Sequence, residues 1–144
     1  MKKLLIVALM LLILPRAHAQ DGLLGQWTEP GGSTIAIYSC ASGVCAKLIA
    51  LSRHVHASTD VQNPDAALRQ RPLCGLQIGS GFHPNGPNAA DGGQLYDPKS
   101  GKTYSGSMAS SGDTLKLRGY VGFKLFGRTE LWTRARAGVA SCQI

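Results

Sequence analysis

Apolar and polar residues alternate along several short stretches of the chain. In residues 33–39 the alternation puts Ile35 and Ile37 on one face of an extended strand and their neighbours on the other. The same alternation recurs in residues 44–51, 113–121 and 128–134. A period of two is typical of strands with one covered face and one wet face, so the chain is predicted to be all-β.

Turn sequences separate these stretches. Residues 97–101 (DPKSG) and 110–113 (SSGD) have the composition of tight hairpin turns. Residues 79–93 are rich in Gly, Pro and Asn and are predicted to form a loop, with the character of a mobile flap. About eight short strands in succession favour an antiparallel barrel over a sandwich, because a barrel leaves no exposed strand edge.

One helix signal lies in residues 63–69. Asn63 is predicted to cap the helix, Pro64 suits its first position, and Asp65 favours the positive end of the helix dipole. The helix is expected to span at most about two turns, because the proline at position 72 forces the residue before it into an extended conformation.

The N-terminus has the three parts of a secretory signal peptide. Lys2 and Lys3 precede the apolar residues 4–14, and Ala17-His18-Ala19 provides a cleavage site. We therefore predict a signal peptide over residues 1–19 and a single domain over residues 20–144, a buried N-terminal helix being the alternative. The apolar run is shorter than the roughly 18–20 residues of a membrane-spanning helix, so the protein is not expected to cross a membrane.

All four cysteines lie in the predicted exported part. An even number in an exported chain predicts two disulfides, with three possible connectivities. We favour Cys40–Cys45, which a hairpin turn at residues 41–43 would bring together, and Cys74–Cys142. A zinc site is the alternative, but neither a CxxC pair nor a regular histidine spacing supports it, so no metal is expected.

Composition limits the classes of protein that remain. The chain has 144 residues, of which 44% are hydrophobic, and a formal net charge of +7. The apolar fraction is too high for a disordered tail. Removal of the basic leader would leave a mild positive charge, so no nucleic-acid partner is expected.

Three motifs occur in a definite order along the predicted domain. They are Gly25-Gln26-Trp27, residues 60–65 (DVQNPD) leading into residues 71–75 (RPLCG), and residues 117–122 (LRGYVG) followed by residues 127–134 (GRTELWTR). Together they resemble the exported bacterial family catalogued as domain of unknown function 2147. Two positions depart from the family pattern: Ala46 stands where Gly is usual, and Cys142 lies beyond the pattern.

The resemblance implies a small calycin-like (lipocalin-like) β-barrel in the envelope of Gram-negative bacteria, hence in the periplasm or secreted, with no established reaction. It also implies a structural closure, in which a Trp from the first strand lies inside the barrel base under an Arg from the last strand. Trp27 and Arg134 match these positions, and Trp132, on the same strand face as Arg134, is an alternative to Trp27. An Arg over an indole ring contributes about 0.5–2 kcal/mol.

Asp60, Asn63 and Arg71 cluster in one polar segment and have two interpretations. Beside a barrel mouth, they could bind a polar or anionic headgroup, with Arg71 making a bidentate contact. Alternatively, Asn63 caps the short helix while Asp60 and Arg71 pair to hold its ends, which is the interpretation we favour.

Catalytic chemistry has little support in the sequence. His54 and His56 would share a face of an extended segment, but Asp60, the nearest third metal ligand, lies on a turn, so solvated loop histidines are favoured. No G-x-S-x-G motif is present. We predict a protein without enzymatic activity and without a cofactor.

Two functions are therefore compared. The first is a barrel that holds a small apolar or amphipathic molecule, lined by Ile35, Ile37, Leu48, Leu115 and Leu117, which the alternation assigns to the interior. The second is a packed barrel whose basic surface contacts an anionic component of the cell envelope. The basic residues in question are Lys116, Arg118, Lys124, Arg128, Arg134 and Arg136.

The predicted leader gives a direct test of export. Protein produced from the full-length sequence and recovered from the periplasm should have the mass of residues 20–144, because signal peptidase cuts after the A-x-A motif. Intact mass spectrometry with and without reductant should also show the mass increase of two reduced disulfides. A full-length mass or four free thiols would contradict these assignments.

Overall fold

Eight antiparallel strands form a closed barrel in the order in which they follow one another along the chain. The computed structural model describes residues 22–136 and Cys142. The strands are β1 (Gly25–Thr28), β2 (Thr34–Cys40), β3 (Gly43–Ala50), β4 (Gln77–Pro84), β5 (Ala89–Asp97), β6 (Lys102–Ser111), β7 (Thr114–Tyr120) and β8 (Arg128–Arg134). The predicted all-β antiparallel barrel is confirmed.

Pairing between β1 and β8 closes the sheet. Trp27 lies opposite Arg134, and Thr28 lies opposite Thr133. Closure gives the edge groups of both terminal strands a partner, which protects them from pairing with another chain. In the described part of the chain, no helix has the length and apolar character needed to cross a membrane.

The alternation in the sequence matches the inner and outer faces of the barrel. Ile35 pairs with Leu48 across β2 and β3, and both side chains are buried. On β7, Leu115 and Leu117 are buried, whereas Lys116 between them is exposed. Period-two patterning therefore identifies the core strands correctly, because each strand has one face toward the barrel interior.

The antiparallel order gives the barrel two different ends. At the closed end lie residues 22–24 and the short β2–β3, β4–β5 and β6–β7 turns. At the open end lie the β1–β2 and β5–β6 turns, the long β3–β4 connection (residues 51–76) and the β7–β8 connection (residues 121–127). Residues 97–101 and 110–113 form hairpin turns, as predicted.

Trp27 and Arg134 occupy the closed end. The Trp27 indole is fully buried, and the Arg134 guanidinium lies 4.0 Å from the centre of its ring. Arg134 donates hydrogen bonds to the carbonyl oxygens of Gly22, Leu24 and Gly112, and the indole Nε1 donates to the Leu23 carbonyl at 2.9 Å. One side chain thus joins both chain segments that meet at the base, in the arrangement that the family resemblance implies.

The predicted loop over residues 79–93 is wrong, because most of this segment lies in β4 and β5. The physical reason is Phe82, whose side chain is fully buried inside the barrel. Side chains built at Gly79 and Gly106 would approach the Phe82 ring to 3.3 and 3.1 Å, and one at Gly93 would overlap it. The glycines therefore make room for an aromatic ring within strands, and only a short turn at residues 85–88 separates β4 from β5.

The predicted helix is a single 3₁₀ turn, Ala66–Leu68, and a second such turn spans Lys124–Phe126. The predicted limit of about two turns is confirmed for the helix at residues 66–68, but Asn63 is not its cap. Asp65 holds that position and accepts a hydrogen bond from the Ala67 N–H. Asn63 lies outside the helix, where its oxygen accepts from the Asp65 N–H and its amide group is free to bond elsewhere.

Two disulfides hold connections at the two ends of the barrel. Cys40 bonds to Cys45 across the β2–β3 turn, with the Cα atoms 5.9 Å apart. Cys74, in the long β3–β4 connection, bonds to Cys142, with the Cα atoms 5.7 Å apart. These are the pairs favoured from the sequence. The predicted signal peptide, residues 1–19, lies outside the described residues.

Replacing Gly93 with alanine tests the role of glycine in this core. Gly93→Ala should lower the free energy of unfolding by about 1–3 kcal/mol, because the added methyl group overlaps the buried Phe82 ring. Urea denaturation provides the measurement. Gly119→Ala is the matched control, since its Cβ would lie 3.6 Å from Tyr104, an ordinary contact distance. Equal stabilities of the two variants would show that Phe82 does not need this space.

Candidate functional site

A cavity of about 780 Å³ lies in the upper part of the barrel, which is the half nearer the open end, and it opens to solvent at that end. Ile35, Leu48, Ile78, Leu95 and Leu117 form much of its inner wall. The β3–β4 connection covers part of the opening with residues such as Val55, Thr59 and Gln62. The inner wall is therefore largely apolar, and part of the wall at the opening is a connection that contains one 3₁₀ turn and no strand.

The sequence-predicted lining residues fall into two groups. Ile35, Leu48 and Leu117 line the cavity. Ile37 and Leu115 are buried in the core but do not line it. Alternation correctly places a residue on the inner face of the barrel. It does not show whether the interior at that position along the barrel axis is packed core or open cavity.

Trp132 lies in the cavity wall rather than in the closure at the base. Its side chain is buried, and its Nε1 donates a hydrogen bond to Glu130 Oε2 at 3.1 Å. Arg134 stacks on Trp27, so the suggested substitution of Trp132 for Trp27 is wrong. The physical reason is the position of each residue along the barrel axis. Trp132 precedes Arg134 by two residues on β8, so it lies farther from the closed end and pairs with Leu115, whereas Arg134 pairs with Trp27.

Charged side chains surround the opening of the cavity. Glu29 forms an ion pair with Lys99 at 3.3 Å, and its carboxylate also accepts hydrogen bonds from the backbone N–H groups of Gly31 and Ser33. Burial alone would raise the pKa of Glu29, but these hydrogen bonds and the Lys99 charge outweigh it and hold the pKa below its usual value. Glu29 is therefore a fixed negative charge at neutral pH.

Arg128 and Glu130 add one charge of each sign. Both are exposed residues of β8 that line the cavity. With Glu29 and Lys99, they give the opening paired charges of both signs rather than one strong field. Such an arrangement can orient the polar part of a bound molecule while the apolar part lies deeper.

Asp60, Asn63 and Arg71 come together in one hydrogen-bonded network. The Asp60 carboxylate is fully buried and accepts from Asn63 Nδ2 at 2.8 Å and from Arg71 Nε at 2.9 Å. Its other oxygen accepts from the Tyr96 hydroxyl at 2.6 Å. Asn63 Nδ2 also donates to the Tyr96 oxygen, and Arg71 lies over the Tyr96 ring.

The network fixes the ionised state of Asp60. Burial alone would raise the pKa of Asp60, but hydrogen bonds from Tyr96, Asn63 and Arg71, together with the Arg71 charge, lower it below the usual value. For Tyr96, burial and the adjacent carboxylate raise the pKa of the phenol. Asp60 therefore stays a carboxylate and Tyr96 stays a neutral donor at neutral pH.

This network holds the cavity wall in place. The Asp60 N–H donates to the Arg71 carbonyl at 3.0 Å, and Thr59 pairs with Pro72 in an isolated β-bridge. Thr59, Val61 and Tyr96 face the cavity, whereas Asp60 does not. The geometry favours the structural interpretation of Asp60, Asn63 and Arg71, with Arg71 remaining the member whose side chain is most exposed.

The two histidines of the β3–β4 connection also lie at the opening. His54 and His56 are exposed and line the cavity on either side of the partly buried Val55. Among the residues that the structure describes, no group of three His, Cys, Asp or Glu side chains could hold a metal ion. Asp60, the suggested third ligand, has its oxygens bonded to Asn63, Arg71 and Tyr96.

The basic residues of the last third of the chain are divided between the two ends of the barrel, so they do not form the single face expected: Arg118, Lys124 and Arg128 lie by the β7–β8 connection, and Arg134 lies at the base. Arg118 lies on β7, and Lys124 forms an ion pair with Asp91 at 2.9 Å. Arg128 lines the cavity, and Arg134 is at the base. Closure of the barrel separates these residues, because successive positions of β7 and β8 point to opposite sides of its wall.

Comparisons with known proteins agree with this fold. Residues 25–134 match the family described as "Uncharacterized protein conserved in bacteria (DUF2147)". The chain belongs to this family. None of the curated proteins compared with the chain matches it.

One similar solved structure is described as "Protein HP1028 from the human pathogen Helicobacter pylori belongs to the lipocalin family". It is 25% identical, with a TM-score of 0.68 over 78% of this chain and 80% of that chain. The present chain thus has a lipocalin-like barrel, and the expected family and architecture are both confirmed.

Several residues of the site were not predicted from the sequence. Tyr96 donates to Asp60, and Glu29 forms the ion pair at the opening. Tyr96 follows Leu95 in a short strand-like run that precedes the predicted turn at residues 97–101, and this signal could have identified β5. Nothing local to Glu29 indicates its partner, because Lys99 is far away in the sequence.

Replacing Asp60 with asparagine tests the buried carboxylate. Because the pKa of Asp60 is lower in the folded chain, the carboxylate stabilises the fold above about pH 4, and this stabilisation is lost as the pH falls through the folded pKa. Asp60→Asn should lower the free energy of unfolding at neutral pH by about 1–3 kcal/mol. The difference from the wild type should shrink as the pH falls below about 4 and through the folded pKa.

Chemical denaturation across this pH range provides the measurement. Asp91→Asn is the control, because Asp91 and Lys124 form an exposed pair whose removal should cost less than about 1 kcal/mol. Wild-type stability of Asp60→Asn at neutral pH would refute a structural role for the network.

Proposed function

We propose that this protein is an exported, lipocalin-like barrel that binds one small apolar or amphipathic molecule in its cavity. The observation that carries the proposal is the cavity of about 780 Å³ in the upper part of the barrel. Small-molecule sites commonly have volumes of roughly 300–1,000 Å³ and mostly apolar walls. An eight-stranded barrel is wide enough to hold one small ligand when its interior side chains leave space.

The distribution of bulk inside the barrel supports this proposal. Trp27 and Phe82, both fully buried, fill the lower interior. Above them, Ile and Leu side chains of the inner wall, together with Trp132 and Tyr104, surround open space. A ligand would displace water from apolar surface there, which is the main favourable contribution to binding an apolar molecule.

The charges at the opening favour an amphipathic ligand over a purely apolar one. Glu29 with Lys99, and Arg128 with Glu130, lie where the polar part of such a molecule would emerge. His54 and His56 add exposed imidazole groups at the same level. A molecule with a polar or charged end at the opening and an apolar tail inside would satisfy both regions.

Export is part of the proposal. The basic, apolar and A-x-A segments of residues 1–19 indicate a signal peptide, and the two disulfides suit an oxidising compartment such as the periplasm. The alternative function, a packed barrel acting through a basic face, has less support. The upper interior contains a cavity, and one of the basic residues, Arg134, is packed on Trp27 at the base.

The experiment fills the cavity without changing the outer surface. Leu117→Trp places a larger side chain in the cavity wall and should weaken binding of a dansyl-labelled fatty acid by about tenfold or more, because it takes the space of the apolar tail. Dansyl fluorescence titration gives the affinity. Native mass spectrometry of wild-type protein from the periplasm should also show a bound small molecule.

Leu131→Trp is the matched control, since Leu131 follows Glu130 on β8 and is exposed on the outer side of the wall. It should bind the probe like the wild type. Failure of the wild type to bind the dansyl-labelled fatty acid or the neutral probe N-phenyl-1-naphthylamine would refute the proposal. Equal binding by Leu117→Trp and the wild type would place any ligand elsewhere.

A further inference from the structure

The β7–β8 connection exposes an unusual amount of apolar surface. Val121, Phe123, Leu125 and Phe126 are 76%, 76%, 82% and 79% exposed, the highest values for large apolar side chains in the described residues. We call residues 121–127 the apolar loop. Apolar side chains exposed together in a short segment commonly mark an interaction surface, because their contact with water is unfavourable.

The loop has a defined conformation. Arg118 Nε and Nη2 donate to the carbonyl oxygens of Lys124 and Leu125 at 2.8 and 3.0 Å, and its Nη1 donates to Thr129 Oγ1 at 2.7 Å. The Phe126 N–H closes the 3₁₀ turn on the Phe123 carbonyl. The backbone carbonyls thus bond to an arginine of the barrel wall while the apolar side chains project outward.

Basic residues outnumber acidic ones around the apolar loop. Arg118, Lys124 and Arg128 lie in or beside the loop, and the nearby acidic residues are Asp91 on β5 and Glu130 on β8. Lys124 also forms an ion pair with Asp91 on β5, and both members of the pair are about half exposed. Basic side chains next to exposed Phe and Leu are the combination that binds an anionic lipid surface, through apolar insertion and attraction to headgroups.

We infer that the apolar loop docks the open end of the barrel onto an anionic membrane surface. Phe123, Leu125 and Phe126 insert at the boundary between headgroups and acyl chains, and Arg118, Lys124 and Arg128 lie near the headgroups. Arg128 also lines the cavity, so docking places the opening beside the lipid. The inference goes beyond the proposed ligand site, because it requires no occupant in the cavity.

A second copy of the chain fits this surface less well. The opening of the cavity is an apolar recess into which such a loop could insert, but it is surrounded by charges of both signs. It therefore offers no net negative potential to the basic surroundings of the apolar loop. An anionic bilayer provides both the negative charge and the apolar interior.

Vesicle sedimentation tests the inference. Protein produced from the full-length sequence should co-sediment with phosphatidylcholine vesicles containing phosphatidylglycerol, and more weakly with phosphatidylcholine alone. The double substitution Phe123→Ser and Phe126→Ser should reduce binding by about tenfold or more, because it removes two inserting rings. High salt should weaken binding to the anionic vesicles.

Leu24→Ser is the matched control, since Leu24 is an exposed leucine near the closed end. It should bind vesicles like the wild type. A second reporter is Phe123→Trp: its emission should shift to the blue on anionic vesicles, because the native Trp27 and Trp132 are already buried. Circular dichroism checks that each variant is folded.

Three results would overturn the inference. The first is absence of binding to anionic vesicles, and the second is unchanged binding by the double variant. The third is a dimer in light scattering that the double variant abolishes, because this result would assign the apolar loop to contact with a second copy of the chain. Uptake of the dansyl-labelled fatty acid without vesicles is measured on the same variants. Retained uptake with lost vesicle binding supports docking, and lost uptake with retained vesicle binding counts only against the ligand site.

Discussion

Pairing of β1 with β8 converts the sheet into a cylinder, and it makes the filling of the interior the main constraint on the rest of the structure. At the base, Trp27 is held between Arg134 and the Leu23 carbonyl, so one end is sealed. Phe82 fills the interior, and Gly79, Gly93 and Gly106 give its ring room. Trp27 and Phe82 fill the interior near the closed end, whereas the Ile and Leu side chains nearer the open end, together with Trp132 and Tyr104, surround a cavity.

The open end depends on a buried charge. A carboxylate without partners is costly to bury, but Asp60 bonds to Asn63, Arg71 and Tyr96, so its charge is compensated. These bonds join the long β3–β4 connection to β5. A segment without regular strands or long helices thereby becomes a fixed part of the cavity wall. Here the ion pair and the hydrogen bonds of Asp60 hold the wall in position, as strand pairing does in the rest of the barrel.

The cavity and the apolar loop lie at the same end of the barrel, and this placement links the two proposals. A carrier of amphipathic molecules has to exchange them with a membrane or another apolar compartment, and exposure to water between the two is unfavourable. An opening beside a lipid-binding loop would shorten that exposure. Arg128 lies at the junction, since it follows the loop and also lines the cavity.

The sequence by itself determined the all-β class, the inner faces of β2, β3 and β7, two hairpin turns and the family, because period-two alternation and turn residues are local signals. It did not determine that Gly79 and Gly93 belong to strands. Glycine is needed at both positions because the Phe82 ring packs against them, and Phe82 is distant from Gly93 in sequence. Alternation assigned Ile37 and Leu117 to the same interior, but only the tertiary structure placed Leu117 at the cavity and Ile37 in packed core. The partners of Glu29 and Asp60 were likewise decided by folding, because ion pairs and hydrogen bonds between distant residues leave no periodic pattern in the chain.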